Sequence, residues 1–137
     1  MARVVLFHHV LGLTEGVLAL AESLRAGGHT VLTPDLFGGR RADTVEDGLT
    51  LARSVGEDVV AVRVRRAVAD VGPGTVFAGI SYGVASAQRL AQTRAGAAGA
   101  LLYEACLPLS GRWAVGPWPP GVPVQVHGMA DDPFFAH

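Results

Sequence analysis

Apolar residues in this chain occur in two alternating kinds of run. Short continuous runs of four or five, such as Val4-Val5-Leu6-Phe7, read as strands buried on both faces; longer stretches with an apolar residue every third or fourth position read as helices. The pattern predicts strands over Arg3–Phe7, His29–Thr33, Thr75–Ala78, Ala100–Tyr103 and Val122–His127. Between the first two, Thr14 and Glu15 open a helix to about Arg25, with Val17, Leu18, Leu20, Ala21 and Leu24 on its buried side and Gly27-Gly28 as its stop. Thr44 is placed to cap a second helix, which Glu46 and Asp47 favour through the helix dipole. Residues 57–71 fit both periods: Val60, Val62 and Val64 alternate with arginines, while Val60, Val64, Ala67, Val68 and Val71 mark a helical face. The length of the segment and the Gly72-Pro73-Gly74 that follows favour helix. A last helix runs from Val84 to about Thr93. Strands alternating with helices predict an α/β domain with a mainly parallel sheet covered on both faces, one unit over residues 1–137.

The third strand leads into Gly79-Ile80-Ser81-Tyr82-Gly83, and a helix follows at once. A serine between two glycines at a strand-to-helix junction is the arrangement of a nucleophile elbow, in which a tight turn lifts the side chain clear of the sheet. Ser81 is therefore the candidate nucleophile. After the fifth strand come His127-Gly128-Met129-Ala130-Asp131-Asp132-Pro133. A carboxylate just past a strand end, downstream of the serine, stands where a triad acid belongs; its work is to orient an imidazole and stabilise its cation. Asp132 is favoured because Pro133 would fix its turn, with Asp131 as the alternative acid; both could instead cap backbone amides.

His8-His9-Val10-Leu11-Gly12 follows the first strand. Backbone N–H groups of Val10 and Tyr82 would form the oxyanion hole, and His8, His9 and Leu11 would wall a substrate pocket. His9 could alternatively act as a base, because the topology brings it near Ser81. No ligand spacing for a metal is present, so no metal is expected. Arg40 and Arg41 could meet an anionic group but also suit a solvated loop, and Trp113 and Trp118 could line a pocket or cover the sheet. Cys106 reads as a buried strand-end residue.

Composition narrows the field. The 137 residues are 50% hydrophobic and 17% charged, with a formal net charge of -1, so the chain folds around a substantial core and offers no basic stripe for nucleic acid. Arg63, Arg65 and Arg66 read as a solvated helix face. All 11 basic residues are arginine, which removes Schiff-base lysine chemistry and the lysine of a phosphate-binding loop. No run approaches a membrane span or an export signal; a cytoplasmic protein acting on a small molecule is expected.

Four stretches together resemble the dienelactone hydrolase family of α/β hydrolases over essentially the whole chain. They are residues 4–13, residues 28–38 with their Pro34-Asp35-Leu36-Phe37 ending, the turn at Ser81, and His127-Gly128 with Asp131-Asp132-Pro133. The resemblance implies cleavage of an ester, lactone or similar acyl bond through a covalent acyl-enzyme, with no cofactor. It also implies departures. The namesake has cysteine where Ser81 stands and an acidic residue where His9 stands. The family continues through a further helix, a strand carrying a Gly-x-x-His base, and a closing helix, so the chain is expected to be an incomplete domain with a free sheet edge, on which a second copy could pair. His137 comes too soon after Asp132 to be that base. The alternative function is a catalytically inactive α/β-hydrolase-like module that binds a ligand or partner.

Overall fold

The computed structural model describes residues 2–107, 109–110 and 114–128. Five strands, β1 (Arg3–Phe7), β2 (Thr30–Leu32), β3 (Thr75–Ile80), β4 (Gly99–Tyr103) and β5 (Val124–His127), form one sheet in the order β2-β1-β3-β4-β5. Every neighbouring pair is parallel. Helices α1 (Glu15–Ala26), α2 (Val45–Val55), α3 (Glu57–Val68) and α4 (Val84–Thr93) make the crossovers. The ambiguous segment is helical, as its length and its glycine stop predict, though it ends at Val68 rather than Val71. Thr44 caps α2 as expected, its Oγ1 accepting the Asp47 N–H at 3.1 Å.

The alternation of side chains along each strand divides the core in two. Val5, Phe7, Phe77 and Leu102 point to one face and pack under α2, α3 and α4 with Leu36, Phe37, Leu51, Val60 and Val84. Val4, Leu6, Val31 and Ala78 point to the other, under Val17 and Ala21 of α1. Burying a side chain such as Phe7 or Leu6 in this way contributes roughly 1.5–3 kcal/mol each. The faces are unequally covered. All four residues of β5 are exposed, among them Val124 and Val126, so among the described residues nothing covers the sheet beyond α1 on that side or along its β5 edge.

Between β4 and β5 the chain returns along α4, to which two glutamines fasten it. Gln88, buried, donates to the Leu107 carbonyl at 3.1 Å and accepts the Leu107 N–H at 2.7 Å. Gln92 donates to the Gly116 carbonyl at 2.8 Å, and the Trp118 indole donates to Val122 O at 2.7 Å while its ring packs against the core. Trp118 thus covers the sheet; Trp113 lies outside the described residues. Cys106 is exposed, contrary to the sequence expectation, because Glu104 takes a left-handed conformation (φ 69°) immediately after β4 and turns the chain off the sheet. Arg63 is also corrected: only Arg65 and Arg66 form a solvated face, while Arg63 turns inward and donates to the Leu36 carbonyl at 2.8 Å. Replacing Gln88 by leucine, which keeps bulk but leaves both Leu107 groups without partners, is expected to lower unfolding free energy by about 1–3 kcal/mol, measured by urea denaturation.

Candidate active site

The site lies where the strand order changes direction. From β1 the chain crosses to β2 on one side, and β3 lies on the other, so the loops leaving β1 and β3 diverge and open a crevice at their carboxyl ends. At that point Ser81–Gly83 forms a single 3₁₀ turn between β3 and α4. Ser81 is exposed and holds φ 51°, in the left-handed region that non-glycine residues avoid at a cost of about 1–3 kcal/mol. Such a conformation persists only where the surroundings impose it, and here two glycines do. A Cβ on Gly79 would stand 2.4 Å from the Gly83 carbonyl oxygen, and a Cβ on Gly83 would stand 2.3 Å from Phe7 O and 2.7 Å from His8 O. The turn is folded back on its own strand and pressed against the end of β1, a packing that only glycine at both places permits.

The loop after β1 is held just as firmly. Gly48 brings α2 so close that a Cβ there would lie 2.6 Å from Val10 O. Ala42 donates to Leu11 O at 3.0 Å, and Gly12, at φ 98°, lies under the Arg40 carbonyl. Asp35 shapes the opposing loop by accepting from Phe37 N and Gly39 N at 3.0 and 2.9 Å. The N–H of Val10 meets no acceptor among the described residues. Tyr82 packs its ring on Phe37, 5.7 Å between centroids, and burial raises its phenol above the ordinary value, with Glu57 adding to the shift.

His8 and His9 differ sharply. His8 is fully buried, so it does not wall an open pocket as the sequence suggests. Its Nε2 accepts the Leu36 N–H at 3.0 Å, which requires the proton on Nδ1; Nδ1 then donates to His9 O at 2.7 Å. The ring, edge-on to Phe37 at 4.8 Å, is a neutral strut between the β1 loop and the β2 loop. Burial lowers its pKa below 6.5 more than the His9 carbonyl and Asp35 raise it. His9 is half-buried, and its buried Nδ1 has no hydrogen-bond partner among the described residues. Burial also lowers its pKa, with its own carbonyl and the carboxylate of Glu104 acting in the opposite sense. Glu104, which the sequence reading passes over, therefore belongs to this crevice; its signal was an acid directly after a strand, where the sheet delivers side chains to the site.

On the α1 side of the same strand ends an open cleft of about 280 Å³ is lined by Leu20, Ile80, Tyr103, Glu104, His127 and Gly128. The Tyr103 and His127 rings stack at 5.2 Å across β4 and β5. Leu11, given as a pocket residue with His8 and His9, is half-buried and, like them, stands outside this lining. Asp131 and Asp132 lie outside the described residues, as does His137. Among the described residues no cluster of metal-ligating side chains is present, and no helix is long and apolar enough to cross a membrane.

No protein-family model matches the sequence, and no curated protein does. Solved structures match over nearly the whole chain. A protein named m3DLH superposes with a TM-score of 0.73 at 22% identity, covering 98% of this chain and 60% of that one. A dienelactone hydrolase-like promiscuous phosphotriesterase from metagenomic libraries superposes with a TM-score of 0.73 at 21% identity, covering 99% of this chain and 60% of its own. The class is thus a five-stranded parallel α/β fold with helices on both faces. Within that class the fold is similar to those of these two proteins, of whose length the chain covers 60%.

Two outcomes follow from these contacts. Gly83→Ala should destabilise the protein by about 1–3 kcal/mol or more, as overpacking does, whereas Gly28→Ala, which has open space at φ 94°, should cost only about 1–2 kcal/mol of left-handed strain; chemical denaturation of both variants compares them. For His8, the fold holds fewer protons than the unfolded chain, so its contribution to stability is complete above about pH 6.5 and declines as the pH falls through the window down to its lower folded value. Denaturation midpoints between pH 7.5 and 5 should drop for the wild type and drop less steeply for His8→Phe.

Proposed function

We propose that this chain carries the nucleophile of a serine hydrolase that cleaves an ester, lactone or similar acyl bond through a covalent acyl-enzyme. One observation carries the proposal: Ser81 is exposed in a left-handed backbone conformation, at a strand-to-helix turn closed by two obligatory glycines. This geometry supports reading the turn as a nucleophile elbow, in which backbone strain presents an oxygen at the mouth of a crevice. The unengaged Val10 N–H supports its role, with Tyr82 N–H, as an oxyanion donor. Asp132, or Asp131, is the proposed acid that would orient a histidine base. The relationship in fold to a phosphotriesterase extends the substrate question to phosphoryl esters, for which the same oxygen would be the attacking atom. The open cleft beside Tyr103 and His127 would receive the acyl or leaving group. Reaction of Ser81 needs no resident cofactor in this scheme.

A fluorophosphonate probe should add one mass equivalent on Ser81, located by peptide mass spectrometry, and aryl acetate hydrolysis should be abolished by Ser81→Ala. Hydrolysis that survives this substitution would remove Ser81 from the mechanism. Binding of an ester without turnover by the wild type would favour the inactive, ligand-binding alternative.

A further inference from the structure

The cleft on the α1 side of the strand ends combines an acid with aromatic and aliphatic walls, and three of its residues are fastened to one another. Tyr103 and His127 are register partners across β4 and β5, and their rings stack at 5.2 Å with 20° between the planes. The Glu104 N–H donates to the His127 carbonyl at 2.5 Å, which holds the acidic residue beside that stack. With φ 69° Glu104 leaves the strand at this point, and its exposed side chain lines the cleft with the two rings. Leu20 and Ile80 form the aliphatic part of the lining. Ile80 pairs with Tyr103 and directly precedes Ser81, so the cleft adjoins the serine turn.

The chemistry of this lining selects among ligands. It holds one carboxylate and no arginine, and among the described residues the one salt bridge, Arg25 to Glu22, does not involve Glu104. Burial raises the Tyr103 phenol above its ordinary value, so it stays uncharged at neutral pH. An anion would be repelled by the carboxylate. A wholly apolar group would strip water from Glu104 and return no partner. A bare divalent ion would need more oxygen ligands than the lining offers. An alkylammonium group meets all the walls together: its carbons pack on Leu20 and Ile80, its charge is balanced by Glu104, and an aromatic face attracts it through the ring quadrupole. Because His127 occupies one face of the Tyr103 ring, the opposite face is the one left for a ligand. At about 280 Å³ the cleft is just under the roughly 300–1,000 Å³ of drug-sized sites, which suits a compact head group.

We propose that this cleft is a subsite for an alkylammonium group, with Glu104 and Tyr103 as its specificity-determining residues, and that the ester cleaved at Ser81 carries such a group. The cation site stands on the cleft itself; its place in a substrate rests on the hydrolase reading of Ser81.

Two measurements test it. In the first, tetramethylammonium is titrated into the protein and followed by amide chemical shifts in NMR, with tert-butanol as an uncharged control of similar shape. The amides of Tyr103, Glu104 and Gly128 should move with the cation and not with the alcohol. Glu104→Gln, a change at an exposed side chain, should weaken that binding. In the second, kcat/KM is compared for trimethylammonioethyl acetate and its uncharged carbon isostere, dimethylbutyl acetate. The wild type should prefer the cationic ester by about 3- to 30-fold, the combined worth of an exposed cation–π contact and an exposed ion pair. Glu104→Gln should shrink that ratio. Cleft amides that ignore tetramethylammonium, or a wild type that hydrolyses both esters equally well, overturn the inference while leaving Ser81 as nucleophile. A preference that Glu104→Gln leaves intact also overturns it. If neither ester is hydrolysed, the hydrolase reading fails, and the titration still decides whether the cleft holds a cation.

Discussion

The contact on which this structure depends is the approach of the Gly83 Cα to the carbonyls of Phe7 and His8. The crevice at the strand ends is arranged around it. It brings the start of α4 against the end of β1, closer than any side chain would allow, and so fixes the distance between the serine turn and the loop that faces it. Gly79 completes the constraint from the other side by letting the turn fold back on β3. The left-handed backbone of Ser81 is a consequence: with both neighbours pinned, residue 81 has little choice of φ, and the packing of Phe7, Phe77 and Val84 beneath it supplies the stability that offsets the strain.

From that contact outwards, the loops are set by polar groups rather than by apolar packing. His8 ties the loop after β1 to the loop after β2, Arg63 reaches from α3 to the same Leu36 whose amide His8 accepts, and Asp35 closes the turn between them. Leu36 is thus held by its N–H from one side and its carbonyl from the other. A buried neutral histidine and a half-buried arginine thus hold the two sides of one residue.

How much of this was legible beforehand follows from which forces are local. The strands and helices were readable because continuous apolar runs and three-to-four spacing report burial directly: β1 was placed at Arg3–Phe7 with its observed ends, and α4 to within its last residue. The serine turn was readable because its glycines are required at fixed offsets. The fates of His8, Arg63, Cys106 and Glu104 were not, since each depends on contacts between segments far apart in sequence. Nothing around His8 announces that Leu36 will offer it an amide. Nothing around Cys106 announces that the chain will leave the sheet two residues earlier, because a left-handed glutamate carries none of the composition of a turn.

The pairing of β1 with β3 has a further consequence, for the order in which the molecule is assembled. Val5 meets Phe77 across about half of the chain's length, with α1, β2, α2 and α3 all lying between them in sequence. Such a non-local parallel ladder forms slowly, because the intervening loop entropy is lost before the contact is gained. A nascent chain on the ribosome can settle β1, α1 and β2 early, but the serine turn has no wall to press against until β3 has emerged and docked. The left-handed turn at Ser81 is therefore among the last features to be acquired, and a chain halted before that point would hold only the β1–β2 pair with α1 beside it.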